Sequence, residues 1–334
     1  MTGTMHPTPI GSCQTRAYQR GRVAAQDFPV SAVSDYLQQP DTIVWVDYCA
    51  PSHAQLSEIA GELGLHELAI EDAVGPHQRP KLDHYSTHKF LVVHAVRVDV
   101  GRGELDVTEI DAFVGKQWIV TVRKDEGFAM DPVLERWDRS EELAKEGVPF
   151  LLYGLLDVIV DDYFDSVEVF DTYYDEVSER IFADQPLQGE DQRRWFDLRR
   201  ALVRFHRLVV PTREVVSSLL RREHGDISET LYPYFQDVYD HVLRVSESTD
   251  SLRDLVSTIV ETNLSLRDYR QNLIVKKVSS YAAILAVPAL VTGYYGMNVH
   301  FPGLGTTWGF VVSTLVMVVL DVLLWLYFRR NDWL

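Results

Sequence analysis

Two long runs of apolar residues near the C-terminus dominate the hydrophobic pattern of this chain. Residues 278–295 carry no charge, and residues 308–328 carry a single charge, Asp321. A hydrocarbon core of ~30 Å needs roughly 20 helical residues, so each run is long enough to cross a membrane. The alternative is a hairpin buried in the core of a soluble protein.

The charges that flank these runs favour the membrane. Lys276 and Lys277 precede the first run, Arg329 and Arg330 follow the second, and the loop between them, residues 296–307, contains neither Lys nor Arg. Since positive residues stay on the cytoplasmic side, we expect both chain ends in the cytoplasm and the loop outside. The sequence therefore predicts a multi-pass protein of the cell membrane, embedded in the lipid bilayer, with a cytoplasmic tail at residues 329–334.

The pattern of the preceding residues changes along the chain. Residues 31–140 mix alternating β-branched runs such as TIVWVDY and QWIVTVR with short helical pieces, which predicts a small α/β domain. Residues 148–224 have helical periodicity with a break at ADQPLQGED, which predicts a helical hairpin. No Asp or Glu precedes Asp27, and we expect residues 1–30 to form a disordered tail, with a transit peptide as the alternative.

A third helical segment, residues 233–295, runs into the first apolar span without a stop signal. Pro233 suits a first helical position, and apolar residues then recur at alternating steps of three and four, which is a heptad seam. The seam consists of Phe235, Val238, Val242, Val245, Thr249, Leu252, Val256, Ile259, Asn263 and Leu266. We expect one long stalk helix that continues into the membrane.

Small or polar residues follow one face of this helix into the membrane. They are Asn272, Val275, Ser279, Ala282, Ala286, Ala289 and Gly293. Such residues are ordinary packing surface between membrane helices, but they also suit the wall of a narrow conduit. Because two helices cannot enclose a water-filled path, a pore would need several copies of the chain, each offering this face.

Net charge and missing motifs narrow the function. The formal charge of −17 disfavours nucleic acid as a partner, because phosphate binding needs a basic surface. Cys13 and Cys49 form no CxxC pair, so neither a disulfide scaffold nor a cysteine metal site is predicted. The chain contains no GxxxxGK[ST], HExxH or GxSxG motif, and we expect neither enzyme activity nor an organic cofactor. A membrane-anchored enzyme or signalling protein is the alternative from a different class.

Carboxylates recur at steps of mostly three or four on the first helix of the predicted hairpin. They are Asp157, Asp161, Asp165, Glu168, Asp175 and Glu179. Like charges at this spacing repel each other modestly in water. A solvated helix face is one interpretation of the pattern, and a surface for cations is the other.

The tripeptide Gly296-Met297-Asn298, placed after an apolar run that contains a proline, carries a family resemblance. Together with the ending YFRRNDWL and the blocks AIEDAVGPHQRPKLDHY, LLYGLLDVIVDDYF and FQDVYDHVLRVSESTDSLRDLVST, it resembles the CorA family of magnesium transporters. The resemblance implies an α+β membrane protein with an N-terminal cytoplasmic α/β domain, a long helical stalk and two C-terminal transmembrane helices. It also implies a funnel-shaped homopentamer that admits Mg²⁺ down the membrane potential, with Co²⁺ and Ni²⁺ as further ions.

The same resemblance assigns roles to particular residues. It implies a selectivity filter at Gly296, Met297 and Asn298, and a pore lined by the small and polar face of the stalk helix. It further implies regulatory Mg²⁺ between subunits, whose binding closes the channel. The carboxylates at the matching positions are Glu71, Asp72, Asp157 and Asp237.

The loop after the filter departs from the family pattern. Many members carry acidic residues there, whereas VHFPGLGTT has none and His300 is its only titratable group. The difference brings the loop nearer to the zinc-transporting branch of the family, which is the alternative assignment for the transported ion. Asn298 taken alone would also suit a helix C-cap.

Overall fold

The computed structural model describes residues 10–182, 189–221, 227–297, 300, 303 and 305–334. The strands are β1 (Cys13–Gln19), β2 (Arg22–Gln26), β3 (Thr42–Cys49), β4 (Lys81–His84), β5 (Lys89–Asp99), β6 (Glu104–Val114) and β7 (Trp118–Arg123). The helices are α1 (Val33–Leu37), α2 (His53–Leu63), α3 (Glu67–Val74), α4 (Asp131–Arg139), α5 (Glu141–Ala144), α6 (Val148–Phe182), α7 (Glu190–Leu219), α8 (Tyr232–Tyr295) and α9 (Thr307–Arg330). The chain divides into two compact units, Met1–Val256 and Ser257–Leu334.

The described strands form one seven-stranded sheet in the first unit. Its order is β2-β1-β3-β7-β6-β5-β4, with β3 and β7 parallel and the other neighbours antiparallel. Every residue of β7 is buried, as expected for a central strand covered on both faces. Arg123 at its end donates to Asp47 of β3 at 2.5 Å, and this buried ion pair joins the two parallel strands.

Strands β1 and β2 lie within residues 1–30, so the expectation of a disordered tail over that range is wrong for its second part. Residues 1–9 lie outside the described residues. Ala17 and Tyr18 of β1 are buried against the sheet. Arg16 pairs with Asp138, and Arg22 of β2 pairs with a carboxylate of α5, both at 2.9 Å. Because these partners lie far along the chain, the local sequence pattern around β1 and β2 does not indicate that these strands are held in the fold.

Helices α6, α7 and the first part of α8 pack together in the first unit. The heptad seam is buried from Phe235 through Val256. Tyr163 of α6 ties this layer to the sheet, because its hydroxyl donates to the carbonyl oxygen of His94 in β5 at 2.7 Å. A hydrogen bond of 3.1 Å between the side chains of His206 and Thr249 joins α7 to α8.

The second unit contains the C-terminal part of α8 and helix α9. Both helices are long and apolar enough to cross a membrane, and only 6% of each apolar segment is buried within the chain. A soluble core hairpin would bury most of these side chains. Thr306 caps α9 by accepting a hydrogen bond from Gly309 N, and Lys276 lies over the ring of Trp333 at 5.9 Å.

Candidate metal centre and membrane path

Two of the predicted metal ligands meet in the first unit. Asp157 of α6, Asp237 of α8 and His241 of α8 each offer a ligand atom, and these atoms lie within 4.8 Å of one another. The Asp157 side chain is 12% exposed and that of Asp237 is 62% exposed, so the group opens to solvent on the α8 side. Two carboxylates suit Mg²⁺, and the imidazole extends the donor set towards Co²⁺, Ni²⁺ and Zn²⁺.

Aromatic contacts hold α6 and α8 at this distance. Tyr153, one turn before Asp157, packs its ring against Tyr234 and Phe235 with centroid distances of 5.4 and 6.1 Å. Phe164, two turns after Asp157, meets the imidazole of α8 edge to face at 5.3 Å. The cluster is therefore framed by packed rings on both sides along the helix axes.

A guanidinium already neutralises the buried carboxylate of this cluster. Arg136 of α4 forms an ion pair with Asp157 and donates to Asp161 at 3.0 Å. The hydroxyl of Tyr153 donates to the same Asp157 oxygen at 3.1 Å. Nδ1 of His241 is buried and has no hydrogen-bond partner among the described residues. A divalent ion at this place would have to compete with Arg136 for Asp157.

A cleft of about 580 Å³ adjoins Arg136 between α4, α6 and the edge of β5 and β6. Its α6 wall carries Asp161, Asp162 and Asp165. Burial, with help from Asp165 and Asp161, raises the pKa of Asp162 to about 6. The two neighbouring carboxylates thus add to the effect of burial on the pKa of Asp162, and Arg97 opposes both.

The other two predicted ligands lie on α3, away from this cluster. Glu71 is exposed, and Asp72 accepts from Lys81 Nζ at 2.7 Å. Burial disfavours the charged form of Lys81, but its hydrogen bonds to Asp72 and Asp83 outweigh that cost and raise its pKa. Within one chain, the described residues therefore do not bring Glu71 and Asp72 into the group on α6 and α8.

A partly buried lysine, Lys124, fixes the end of α3. Lys124 Nζ donates to the carbonyl oxygens of Asp72, Ala73 and Gly75 at 3.0, 2.5 and 3.1 Å. A cation at a helix C-terminus satisfies orphan carbonyls and complements the helix dipole. Nζ also lies 3.4 Å from the buried Asp111, whose pKa burial raises despite this lysine. Lys124 thus fixes the end of the helix that carries the half-buried Asp72.

The sequence pattern alone did not identify His241 or Arg136. His241 follows Asp237 at the i,i+4 spacing, which puts both side chains on one helix face, so a signal for it was available. Arg136 reaches the cluster from a different helix than Asp157 does, and no local spacing marks it.

The predicted pore-lining residues share one face of α8 in the second unit. Asn272, Val275, Ser279, Ala282, Ala286, Ala289 and Gly293 are all exposed in the single chain. The opposite face is less exposed and contains Ser280, Ile284, Val287 and Val291. Ser280 is fully buried and its hydroxyl donates to Lys276 O at 2.8 Å. The small and polar face is thus left uncovered by the described part of its own chain.

The predicted filter follows directly at the end of this helix. Gly296 N donates to Thr292 O at 2.9 Å, which closes the last turn, and Met297 is 50% exposed. Asn298 lies outside the described residues. A Cβ on Gly296 would come within 3.0 Å of the Thr292 carbonyl oxygen, so a side chain there would crowd the turn.

Asp321 lies in the middle of α9 and is partly buried. Its Oδ1 has no hydrogen-bond partner among the described residues. Antiparallel pairing of the spans predicts Ser279, Ser280 or Tyr281 as a donor to it, but Ser280 donates to its own helix. An unpaired carboxylate oxygen in an apolar span is costly, which marks this position as one that needs a hydrogen-bond partner.

Replacing Arg136 tests whether it competes for the metal cluster. In Arg136→Met, we expect Mg²⁺ to protect the protein from proteolysis at a concentration lower by about tenfold. The ion then no longer competes with a guanidinium for Asp157, and two opposite unit charges 4 Å apart near a surface attract each other by up to ~4 kcal/mol. The matched control is Arg139→Met, since Arg139 pairs with Glu135 of its own helix at 2.8 Å. An unchanged or higher Mg²⁺ requirement in Arg136→Met alone would contradict the competition.

Comparison with known proteins gives the same assignment over most of the chain. The family described as CorA-like Mg²⁺ transporter protein matches residues 40–330. The cobalt/magnesium transport protein CorA of Thermotoga maritima is 31% identical over 314 residues, covering 92% of this chain and 89% of that protein. The putative metal ion transporter YfjQ of Bacillus subtilis is also 31% identical, over 89% of this chain and 92% of that protein.

A solved structure shares the fold along nearly the whole length. The CorA magnesium transporter from Methanocaldococcus jannaschii matches with a TM-score of 0.77 and 20% identity, covering 98% of this chain and 99% of that chain. The family match and the two relatives indicate a metal ion transporter, and the two apolar helices of this chain fit a membrane protein of that kind. The chain belongs to the CorA-like Mg²⁺ transporter family, a family of membrane transporters for divalent cations.

Proposed function

We propose that this protein is a channel for divalent cations that admits Mg²⁺ into the cytoplasm as a homopentamer. The observation that carries the proposal is the uncovered face of small and polar residues on α8, which leads directly to the Gly296-Met297-Asn298 tripeptide. The two spans of one chain cannot enclose water, so copies must arrange these faces around a common axis. Both chain ends then lie in the cytoplasm, in agreement with the flanking Lys and Arg residues.

The path is proposed to be neutral. Mg²⁺ loses its water reluctantly, and a ring of amide and carbonyl oxygens at Asn298 and Gly296 can hydrogen-bond to the hydrated ion. A ring of carboxylates would hold the ion more tightly and slow its release. A divalent ion that crosses 100 mV gains about 4.6 kcal/mol, twice the single-charge value, so influx needs no other energy source.

Regulation is proposed to act through the carboxylates of the first unit. Asp157, Asp237 and His241 supply ligands from one copy. Glu71 and Asp72 stand apart from that group within their own chain, and a neighbouring copy can bring them to it. Mg²⁺ bound between copies would favour the closed state, so that the transported ion limits its own influx.

The zinc-transporting alternative rests on two histidines. His300 stands in the loop after the filter and His241 belongs to the metal cluster. Imidazole suits Zn²⁺ better than it suits Mg²⁺. Uptake by purified protein in liposomes, measured with Mg²⁺ and with Zn²⁺, separates these ions and also tests the channel itself.

The filter gives one prediction. Asn298→Ala should lower Mg²⁺ uptake into liposomes by at least about tenfold, because the amide ring that binds the hydrated ion is lost. Its elution volume in gel filtration should not change, since little packing is removed. Asn331→Ala is the matched control, because Asn331 lies at the far end of α9 and donates to Tyr327 O. Wild-type uptake by Asn298→Ala would refute the filter assignment.

The proposed closure by internal Mg²⁺ is tested by removing two of the carboxylates that would bind the ion. Asp72→Asn combined with Asp237→Asn should weaken Mg²⁺-dependent protection from proteolysis, because neutral amides hold a hard cation less well than carboxylates. Permeation should survive. The control is Glu58→Gln with Asp240→Asn, which removes two carboxylates of α2 and α8 outside the proposed site. Protection equal to wild type in the test variant would place regulation elsewhere.

Asp321 gives the last prediction on function. We expect Asp321→Leu to change the melting temperature of the purified assembly and to leave most of the Mg²⁺ uptake intact, because the proposed path is lined by α8. Asp321→Asn is the control, because it removes the charge and keeps nearly the same side-chain shape. Lost uptake from an intact assembly would instead place Asp321 on the ion path, and no change in either property would refute a role in packing as well.

A further inference from the structure

Helix α7 presents a basic surface in a chain that is strongly acidic overall. A groove of about 460 Å³ lies on its exposed side and is lined by Phe196, Arg199, Arg200, Val203, Arg204 and Arg207. All four arginines are exposed. Among the described residues, no carboxylate lies within ion-pair distance of Arg200, Arg204 or Arg207. We call this surface the basic face of α7.

Helix α6 presents the complementary surface. A second groove of about 460 Å³ is lined by Val100, Asp165, Glu168, Val169, Thr172, Tyr173 and Glu176. Its three carboxylates are exposed, and within the described part of the chain no cation pairs with Glu168 or Glu176. Each groove also has an apolar floor, from Val169 and Tyr173 here and from Phe196 and Val203 on α7. We call this surface the acidic face of α6.

The two helices form an antiparallel hairpin whose register is fixed by ring contacts. Phe205 of α7 packs between Tyr163 and Phe170 of α6, with centroid distances of 5.5 and 6.1 Å. Near the turn, Arg180 pairs with Asp191 at 2.8 Å. Residues that are equally far from the turn therefore lie at the same height along the hairpin.

Opposite charges occur at equal heights on the two faces. Counted from the end of α6 and from the start of α7, Asp165 and Arg207 lie equally far from the turn. Glu168 and Arg204 form a second such pair, one turn nearer to it. Both helices rise ~1.5 Å per residue, so each acid has a base at its own level. Within the described residues of one chain, these side chains nevertheless form no ion pairs.

We propose that the basic face of α7 in one copy docks on the acidic face of α6 in the next copy. Rotation about an axis that runs along the hairpin keeps heights unchanged, so it brings Arg207 to Asp165 and Arg204 to Glu168 of the neighbour. The contact is heterologous, since each copy offers a different face to each neighbour, and repeating it by the five-fold rotation of the proposed homopentamer closes a ring. The inference rests on the proposed homopentamer and adds the surfaces through which its copies meet in the first unit.

The chemistry of the contact favours a second copy over other partners. The charges on the two faces are opposite in sign and lie at equal heights, and each groove has an apolar floor. Exposed ion pairs contribute little energy each and are screened by salt. They set register and exclude wrong arrangements, which is what a ring of identical copies requires.

Thiol cross-linking of the full-length protein tests this contact. The background is Cys13→Ser, which removes the exposed cysteine and keeps the buried Cys49. Glu168→Cys combined with Arg204→Cys should give, under mild oxidation, a ladder of covalent multimers on a denaturing gel. Each single variant should give none, because a heterologous contact does not bring position 204 to its own counterpart. Glu168→Cys with Arg193→Cys is the off-level control, since Arg193 lies about three turns nearer to the hairpin turn than Arg204.

The outcomes separate this inference from the proposed function. If the background protein forms a ring by native mass spectrometry and takes up Mg²⁺, but the matched pair gives no ladder, the contact is refuted and the channel is not. A ladder from either single variant refutes the heterologous geometry. A monomeric background protein refutes both proposals.

A charge exchange gives an independent test. Arg204→Glu with Arg207→Glu should lower the melting temperature of the assembly at low salt, and adding Asp165→Arg with Glu168→Arg should restore it. Failure of restoration contradicts the pairing. Loss of binding to a labelled polyglutamate peptide in the Arg204→Glu, Arg207→Glu variant, without any cross-linking of the matched pair, would assign the basic face to an acidic partner other than a second copy.

Discussion

Repulsion between neighbouring carboxylates is the constraint that sets the pairing of charges in the first unit of this protein. Asp157 and Asp237 offer ligand atoms within 4.8 Å of each other and of His241, on helices that aromatic rings hold together. Positive charge beside such a group offsets the repulsion between its carboxylates. In the single chain that charge comes from Arg136, which bridges Asp157 and Asp161. A divalent ion carries twice the charge and accepts more oxygen ligands, so the regulatory site that we propose here would have two alternative cations, Arg136 and an ion from solution.

The pairing of each carboxylate or carbonyl group with a cation recurs elsewhere in the first unit. It contrasts with the transport path that we propose for the second unit. Lys81 pairs with Asp72, Lys124 holds the carbonyl end of α3, and Arg97 opposes the rise in the pKa of Asp162. The spans behave differently, because apart from Asp321 the residues 278–295 and 308–328 carry no charge. Ions are thus proposed to pass along a neutral path and to be sensed at a charged one. This division lets strong binding and fast release occur in different places.

The order of the helical segments along the chain could be predicted from the sequence, but the contacts between distant segments could not. The two spans, the helical hairpin and the buried heptad seam follow from period and length, which are local properties. Strands β1 and β2 lie in a range that the local sequence pattern predicts to be a tail. That prediction failed because the arginines of these strands pair with carboxylates in α4 and α5, far along the chain, where a local pattern cannot indicate them. Arg136 leaves no local signal for the same reason, whereas His241 could have been found from its spacing to Asp237. The assignment of Glu71 and Asp72 to a metal site depends on a second copy, which one sequence does not display.

The most direct test of the account is the initial rate of Mg²⁺ influx into liposomes that hold the purified wild-type protein, under a fixed inside-negative potential and with the internal free Mg²⁺ set in advance. We expect influx well above that of empty liposomes when internal Mg²⁺ is low. We also expect influx to fall as internal Mg²⁺ rises, and to fall by more than the reduced gradient explains. Influx equal to that of empty liposomes would contradict the channel, and influx that follows the gradient alone would contradict closure by the transported ion.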